Sequence, residues 1–298
     1  MNKVLITGAS GFLGTHVVEA FKREGISFTT LGRSNSCDLI CDLRSQIPDL
    51  QPVERVIHLA GKAHSIPSTE YEKNEFFLTN FAGTKSLCDG FDRLGIYPKQ
   101  FLFISSVSVY GLSQGNNILE TTPLKGDSPY SVSKIRAENF LKEWGEKYNV
   151  KILIFRLPLI VGYNPPGNLG KMIRNIKNGR YFRIGSGSAR KSMVLADDIA
   201  EFILNTSQYK GTYNLCDDSH PSFFELERYI CIKLNKPYPK SIPFILGKFL
   251  GKIGDFISKF PINSNTFQKI TSDLTFSNDN AKRDLGWDPN NVLLNKWV

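Results

Sequence analysis

A chain of 298 residues, 41% hydrophobic and 22% charged, is long enough for a large core and too apolar for a disordered or fibrous protein. Its net charge of +9 invites a polyanionic partner, but no aromatic-basic recognition motif accompanies it. The excess therefore reads as provision for phosphate-bearing small molecules, with no nucleic acid partner. Five cysteines, at 37, 41, 88, 216 and 231, show neither metal-ligand spacing nor a disulfide framework, so no metal site and a reducing, cytoplasmic location are expected. Met1 leads straight into the first apolar run, where no signal peptide is read.

Lys3–Thr7 is a short β-branched run of the kind that forms a buried strand, and Thr15–Phe21 has apolar residues at helical spacing. Between them stands Thr7-Gly8-Ala9-Ser10-Gly11-Phe12-Leu13-Gly14, a glycine loop at a strand-to-helix turn. Gly8 permits the turn, Gly11 lets backbone approach a pyrophosphate and Gly14 lets helix and strand pack closely. The helix start at Phe12, Leu13 and Gly14 offers free N–H groups to the phosphates. The spacing is GxxGxxG, so the dinucleotide reading leans on the strand before and the helix after. Ser27–Leu31 reads as the second strand, and Gly32-Arg33 follow where NAD-binding folds usually place an acid for the ribose diol. A guanidinium there suits a 2′-phosphate, so NADP(H) is expected, with NAD(H) left open. Asp42 and Leu43 are candidates to bracket the adenine.

Val56–Gly61 is a further buried strand. Leu59, Ala60 and Gly61 at its end let backbone lie along a cofactor, and His58 inside it reads as a core histidine. Lys62 and His64 lie just past the C-terminal end, where open α/β sheets bind ligands, and are candidate substrate contacts. Asn80 falls in a helix, where its amide can hold a kinked turn or a water near the nicotinamide. The catalytic reading rests on three residues. Tyrosine, with an ordinary pKa of about 10, exchanges protons at neutral pH more readily beside an ammonium. Tyr130 and Lys134 sit four apart, on one face of a helix that Pro129 can open. Ser106, closing an apolar strand upstream, is placed to bond the substrate oxygen, and Ser108 is a possible second hydroxyl contact. Strand and helix patterns alternate through the first half, which predicts a doubly wound parallel sheet.

Ile242–Phe260 has helical apolar spacing, with Lys248, Lys252 and Lys259 interspersed. It is too charged to span a bilayer. We read it as a helix buried in the substrate region, with peripheral membrane contact as the alternative.

The motifs together resemble the extended short-chain dehydrogenase/reductase family, of the NAD-dependent epimerase/dehydratase type. The match runs through Thr7–Gly14, Asp42-Leu43, His58–Gly61, Asn80–Thr84, Ser105–Gly111, Tyr130–Lys134, Arg156–Gly162 and Arg283–Pro289. His58–His64 is most similar to bacterial enzymes that reduce UDP-4-keto-6-deoxy-N-acetylhexosamines in surface polysaccharide synthesis, and the chain as a whole also resembles bacterial nucleotide-sugar 4-epimerases. The resemblance implies a Rossmann-like dinucleotide-binding domain over 1–160 plus about 193–216. A smaller, intertwined α/β region over about 161–192 and 217–298 would bind the nucleotide sugar. It places Pro158 near the nicotinamide, Asn168 near the nucleotide diphosphate, and either Arg190 or Lys191 as the diphosphate-binding cation. A homodimer through a four-helix contact is a further family expectation. Family dehydratases carry an acid pair where this chain has Val107 and Ser108, which argues against dehydration. Keto reduction with NADPH is the first reading and 4-epimerisation the alternative. A 3β-hydroxysteroid-type dehydrogenase and a non-enzymatic NADP-binding regulator stand behind both.

Overall fold

The first strand, β1 (Val4–Thr7), is buried along its whole length and pairs in parallel with β2 (Phe28–Gly32) and β4 (Arg55–His58). Such burial on both faces is what a continuous apolar run predicts. The computed structural model describes residues 4–63, 65, 67–257 and 262–298. With β3 (Leu39–Ile40), β5 (Gln100–Ser106), β7 (Lys151–Leu157) and β11 (Gly211–Asn214) these strands form one parallel seven-stranded sheet in the order β3-β2-β1-β4-β5-β7-β11. The order reverses at β1 and β4, the switch point at which such sheets bind ligands. Helices α1 (Phe12–Arg23), α2 (Glu70–Phe77), α3 (Gly83–Leu94) and α4 (Pro129–Tyr148) supply the crossovers. This is the Rossmann-like, doubly wound arrangement expected from the alternating pattern.

Two apolar clusters cover the sheet. One packs Val17 and Phe21 of α1 on Ile6, Ile57 and Phe155, closed by Ile199 and Ile203 of α6 (Ala196–Leu204). The other packs Leu87 and Phe91 of α3 with Leu141 and Trp144 of α4 against Phe101 and Phe103. A third cluster holds the remainder together through Leu169, Leu226, Ile230 and Trp297. It joins β8 (Leu159–Val161), α5 (Gly167–Lys177), β10 (Met193–Leu195) and α7 (Phe223–Lys233). The shorter elements pair in twos: β6 (Gly115–Ile118) with β13 (Leu274–Phe276), β8 with β10, and β9 (Arg183–Ile184) with β12 (Ser241–Ile242). Helices α8 (Phe244–Gly254), α9 (Ser264–Thr271) and α10 (Asp279–Leu285) complete the chain. All five cysteines are free thiols, and no helix among the described residues is long and apolar enough to cross a membrane.

The helical spacing read over 242–260 is realised as α8, but the helix is not buried in the substrate region. Its buried positions are the glycines, Gly247 and Gly251, while Ile245, Phe249 and Phe256 face outward. The apolar period was correct and its direction was not, because the line of glycines, having no side chains, is the side of the helix that packs closest.

Behind the sheet's C-terminal edge lies a buried ion pair. Arg156 on β7 donates to both carboxylate oxygens of Glu138 on α4 at 3.1 and 2.7 Å, and Ser105 on β5 donates to the same carboxylate at 2.5 Å. Arg156 also donates to the Tyr110 hydroxyl at 3.1 Å. The network fixes α4 against β5 and β7 directly beneath Ser106. Removing one partner leaves an uncompensated charge, so Glu138→Ala should lower the unfolding free energy by about 3–5 kcal/mol, measured by denaturant titration.

Candidate active site

The glycine loop folds tightly because two positions admit no side chain. Gly8 has φ +73°, and a Cβ there would come within 2.5 Å of the Ala60 nitrogen; a Cβ on Gly14 would come within 2.0 Å of the Gly8 oxygen. Helix α1 then starts at Phe12 with no side chain capping it, so its first N–H groups are available to an anion. In front lies a cleft of about 400 Å³ that adjoins a second space of about 280 Å³. Gly8, Gly11, Leu59 and Gly61 line both. An elongated dinucleotide fits this shape, with phosphates at the helix start between its two ends.

The larger space brings together Phe12, Leu13 and Gly14 with Ser106, Tyr130, Lys134 and Pro158, plus Lys62 at the rim. Ser128 caps α4 by accepting from the Ser131 N–H at 3.1 Å, with Pro129 in the first turn. Tyr130 and Lys134 therefore emerge from adjacent turns into the cleft. Lys134 Nζ donates to the Ile104 carbonyl oxygen at 2.8 Å and lies 4.5 Å over the Phe103 ring. Burial lowers its pKa to about 8. The expected depression of the Tyr130 phenol by Lys134 is not found. Burial pushes the phenol up, and the neighbouring Ser106 hydroxyl draws it partly back. The lysine is held toward the strand carbonyl, so desolvation dominates the tyrosine.

Asn80 lies behind the cleft in a single π-turn, Leu78–Ala82, a deformation often found at functional sites. Its amide accepts from the Lys62 N–H at 2.7 Å and donates to the Lys62 carbonyl at 3.1 Å and to Ser133 Oγ at 2.9 Å. The amide thus fixes the loop after β4 to the helix carrying Tyr130. His58 is a core residue: its ring bonds Thr7 and Thr84 hydroxyls at 2.6 and 2.9 Å, and burial lowers its pKa to about 3.

The smaller space is lined by Leu31, Gly32, Arg33, Asp42, Leu43, Arg44 and Ala60. Asp42 is engaged by Arg44, whose Nε and Nη2 donate to its two oxygens at 2.9 and 2.6 Å, and this holds the carboxyl below its usual range. Arg44 reaches on to Glu75 at 3.3 Å, and Lys62 approaches the same carboxylate at 3.8 Å. Arg44 was not singled out in the sequence, although its place two residues after Asp42 was the available signal.

The remaining sequence candidates are dispersed. Ser108 Oγ is buried without a hydrogen-bond partner among the described residues, in the 3-10 turn after Ser106. Asn168 is exposed in the first turn of α5. Arg190 donates to the Ser219 and His220 carbonyls at 3.4 and 3.1 Å, and Lys191 to the Ser272 carbonyl at 2.8 Å. Neither lines the cleft that holds Tyr130. His64 lies outside the described residues.

A parallel sheet with a helix start open to phosphate, and with Ser106, Tyr130 and Lys134 in the adjoining cleft, is the architecture of a dinucleotide-binding enzyme class. The comparisons give the family. Residues 4–216 match the NAD dependent epimerase/dehydratase family, and the chain belongs to it. An N-acetyl-alpha-D-glucosaminyl-diphospho-ditrans,octacis-undecaprenol 4-epimerase of Escherichia coli O157:H7 is 29% identical over 273 residues, 87% of this chain and 80% of that protein. The fold is shared with a Thermotoga maritima UDP-glucose 4-epimerase solved with UDP-glucose: TM-score 0.75, 20% identity, 98% of this chain and 94% of that one. It is shared too with RMD from Pseudomonas aeruginosa complexed with NADPH: TM-score 0.73, 20% identity, 98% and 96% covered.

Proposed function

We propose that the protein is an NADPH-dependent reductase acting at C4 of a nucleotide-linked 4-keto-6-deoxy-N-acetylhexosamine, in surface polysaccharide synthesis. The observation that carries the cofactor half is the charge around the smaller space. Two guanidiniums line it, and its one lining carboxylate, Asp42, is already bound by Arg44. That leaves a pairing site for a 2′-phosphate and no free acceptor for a ribose diol. A reductase exchanges its cofactor each turnover and draws on NADPH, whereas an epimerase retains it.

NADPH, when bound, supplies the hydride equivalent for C4. Tyr130 gives its phenolic proton to the carbonyl oxygen, and its raised pKa keeps it in the acid form that this direction needs. Ser106 donates a hydrogen bond to the same oxygen as charge develops. Lys134 holds the nicotinamide ribose hydroxyls, and its positive charge favours the developing alkoxide. Because its pKa is lowered to about 8, the cation is present below that pH and lost above it. We expect kcat/KM to be flat toward neutral pH and to fall about tenfold per pH unit above roughly 8. A profile taken with cofactor saturating separates this from weakened binding.

A second reading, 4-epimerisation of a diphosphate-linked N-acetylhexosamine, is favoured by the activity that names the E. coli relative. The two are told apart by incubation with UDP-4-keto-6-deoxy-N-acetylhexosamine and NADPH, and separately with UDP-N-acetylglucosamine. Stoichiometric NADPH consumption in the first supports reduction. C4 epimer in the second, with cofactor retained, supports epimerisation.

A further inference from the structure

Helix α8 presents its apolar stripe to the outside. A surface helix ordinarily buries that stripe and exposes its polar face. Here Gly247 and Gly251 face inward, and a Cβ on Gly247 would come within 2.6 Å of the Ile184 side chain. Opposite them stand Ile245, 83% exposed, Phe249, 60% exposed, and, just past the helix end, Phe256, 90% exposed. Spacing of four puts Ile245 and Phe249 on one line. Lys248 and Lys252, also four apart and exposed, run along one border of that line.

The surface continues through the β9–β12 pair that leads into the helix. Beside it, a groove of about 610 Å³ is lined by Lys177, Lys236 and Lys240 together with Tyr181, Phe182 and Tyr238. Residues 174–182 and 236–254 contain seven Lys and Arg and no Asp or Glu. The whole chain has 37 cations against 28 acids, so everything outside these two segments carries 30 against 28. Five of the seven lie on this surface, Lys177, Lys236 and Lys240 in the groove and Lys248 and Lys252 on the helix, and Asp255 just past the helix end is the nearest acid in sequence. Aromatic, aliphatic and lysine side chains on an outward-facing helix match the chemistry of an anionic lipid interface.

A second copy of the chain matches it less well. A two-fold interface sets the same patch on both subunits, which would gather the lysines of both copies in one contact with no acid within residues 236–254 to pair them. We propose that α8 and the adjoining groove dock the protein on an anionic phospholipid surface. Ile245, Phe249 and Phe256 enter the acyl boundary, and Lys240, Lys248 and Lys252 meet the headgroup phosphates. The helix lies in the interface plane, since its eleven residues are too few to span. The inference holds whichever C4 reaction is catalysed.

The test is flotation of the full chain with vesicles of phosphatidylglycerol and phosphatidylcholine, against vesicles of phosphatidylcholine alone. Four proteins are compared: wild type, Ile245→Glu with Phe249→Glu, Lys248→Glu with Lys252→Glu, and Lys142→Glu as an exposed lysine elsewhere. Thermal melts and NADPH titration check that each remains folded. Expected is flotation of wild type and the Lys142 variant with the anionic vesicles only, weakening with salt, and at least tenfold weaker partition for both double variants. No flotation, equal flotation with both vesicle types, or double variants that float like wild type would overturn the proposal. So would a wild-type dimer in analytical ultracentrifugation that the Ile245/Phe249 variant converts to monomer, because a second copy would then cover the face.

Discussion

Tyr130→Phe should reduce the turnover rate by about 10²- to 10⁴-fold while leaving the dissociation constant for NADPH within about twofold of wild type. The substitution deletes one oxygen and keeps the ring, which packs edge-on against Phe76 at 6.1 Å, so neither a cavity nor a clash accompanies it. What is lost is the proton donor held beside Ser106 in the cleft. Ser106→Ala removes a hydrogen bond to the developing alkoxide and should cost about 10²-fold in turnover, again with cofactor binding intact. Lys134→Met should affect both quantities, since the same ammonium serves ribose and alkoxide. Cofactor affinity from fluorescence titration, set beside single-turnover rates, separates the three. If Tyr130→Phe weakened NADPH binding as much as turnover, the tyrosine would be a scaffold residue and the proton-transfer assignment would fail.

Arg33→Ala should raise the KM for NADPH about 10- to 100-fold and leave that for NADH nearly unchanged. A hydrogen bond between charged groups contributes about 1.5–3 kcal/mol, and only the 2′-phosphate distinguishes the two cofactors. Adding Arg44→Ala acts twice. It removes the second guanidinium, and it releases Asp42, which Arg44 now binds through both oxygens. The freed carboxylate repels a 2′-phosphate and accepts from a ribose diol, so the double variant should prefer NADH. Steady-state kinetics with both cofactors reads this directly. A wild type that used NADH and NADPH equally, with Arg33→Ala changing neither, would remove the basis for NADP(H) preference.

The dinucleotide half of the site was legible because its signals are local. Gly8, Gly14 and the apolar run before them are neighbours in sequence and act as neighbours in space. Tyr130 and Lys134 are one helical turn apart, so their shared orientation followed from period alone. Arg44 was missed for the opposite reason. Its place two residues after Asp42 hints at the pairing, but its approach to the end of β2 depends on the chain returning after β3, which spacing does not report. The Tyr130 pKa went astray because a sequence contains charges but no burial: desolvation raises it, the Ser106 hydroxyl draws it partly back, and Lys134 is turned to the Ile104 carbonyl. Arg190 and Lys191 illustrate a third limit. A basic residue in a glycine-rich loop reads as a phosphate ligand from composition alone, and spacing does not report that Arg190 Nη1 and Lys191 Nζ also reach backbone carbonyls of Ser219, His220 and Ser272. Helix α8 is the sharpest case, since apolar periodicity defines a stripe without saying which side of the helix is buried.

The most direct test of the account follows the hydride. NADPH deuterated at C4 of the nicotinamide is incubated with the enzyme and UDP-4-keto-6-deoxy-N-acetylhexosamine, and the product is examined by mass spectrometry and NMR. One deuterium is expected at C4 of the reduced sugar for each NADP⁺ released, and no transfer with Tyr130→Phe. No label in the sugar and no NADP⁺ released, while UDP-N-acetylglucosamine incubated in parallel is inverted at C4 with the cofactor still bound and unchanged in oxidation state, would contradict reduction and assign the protein to epimerisation.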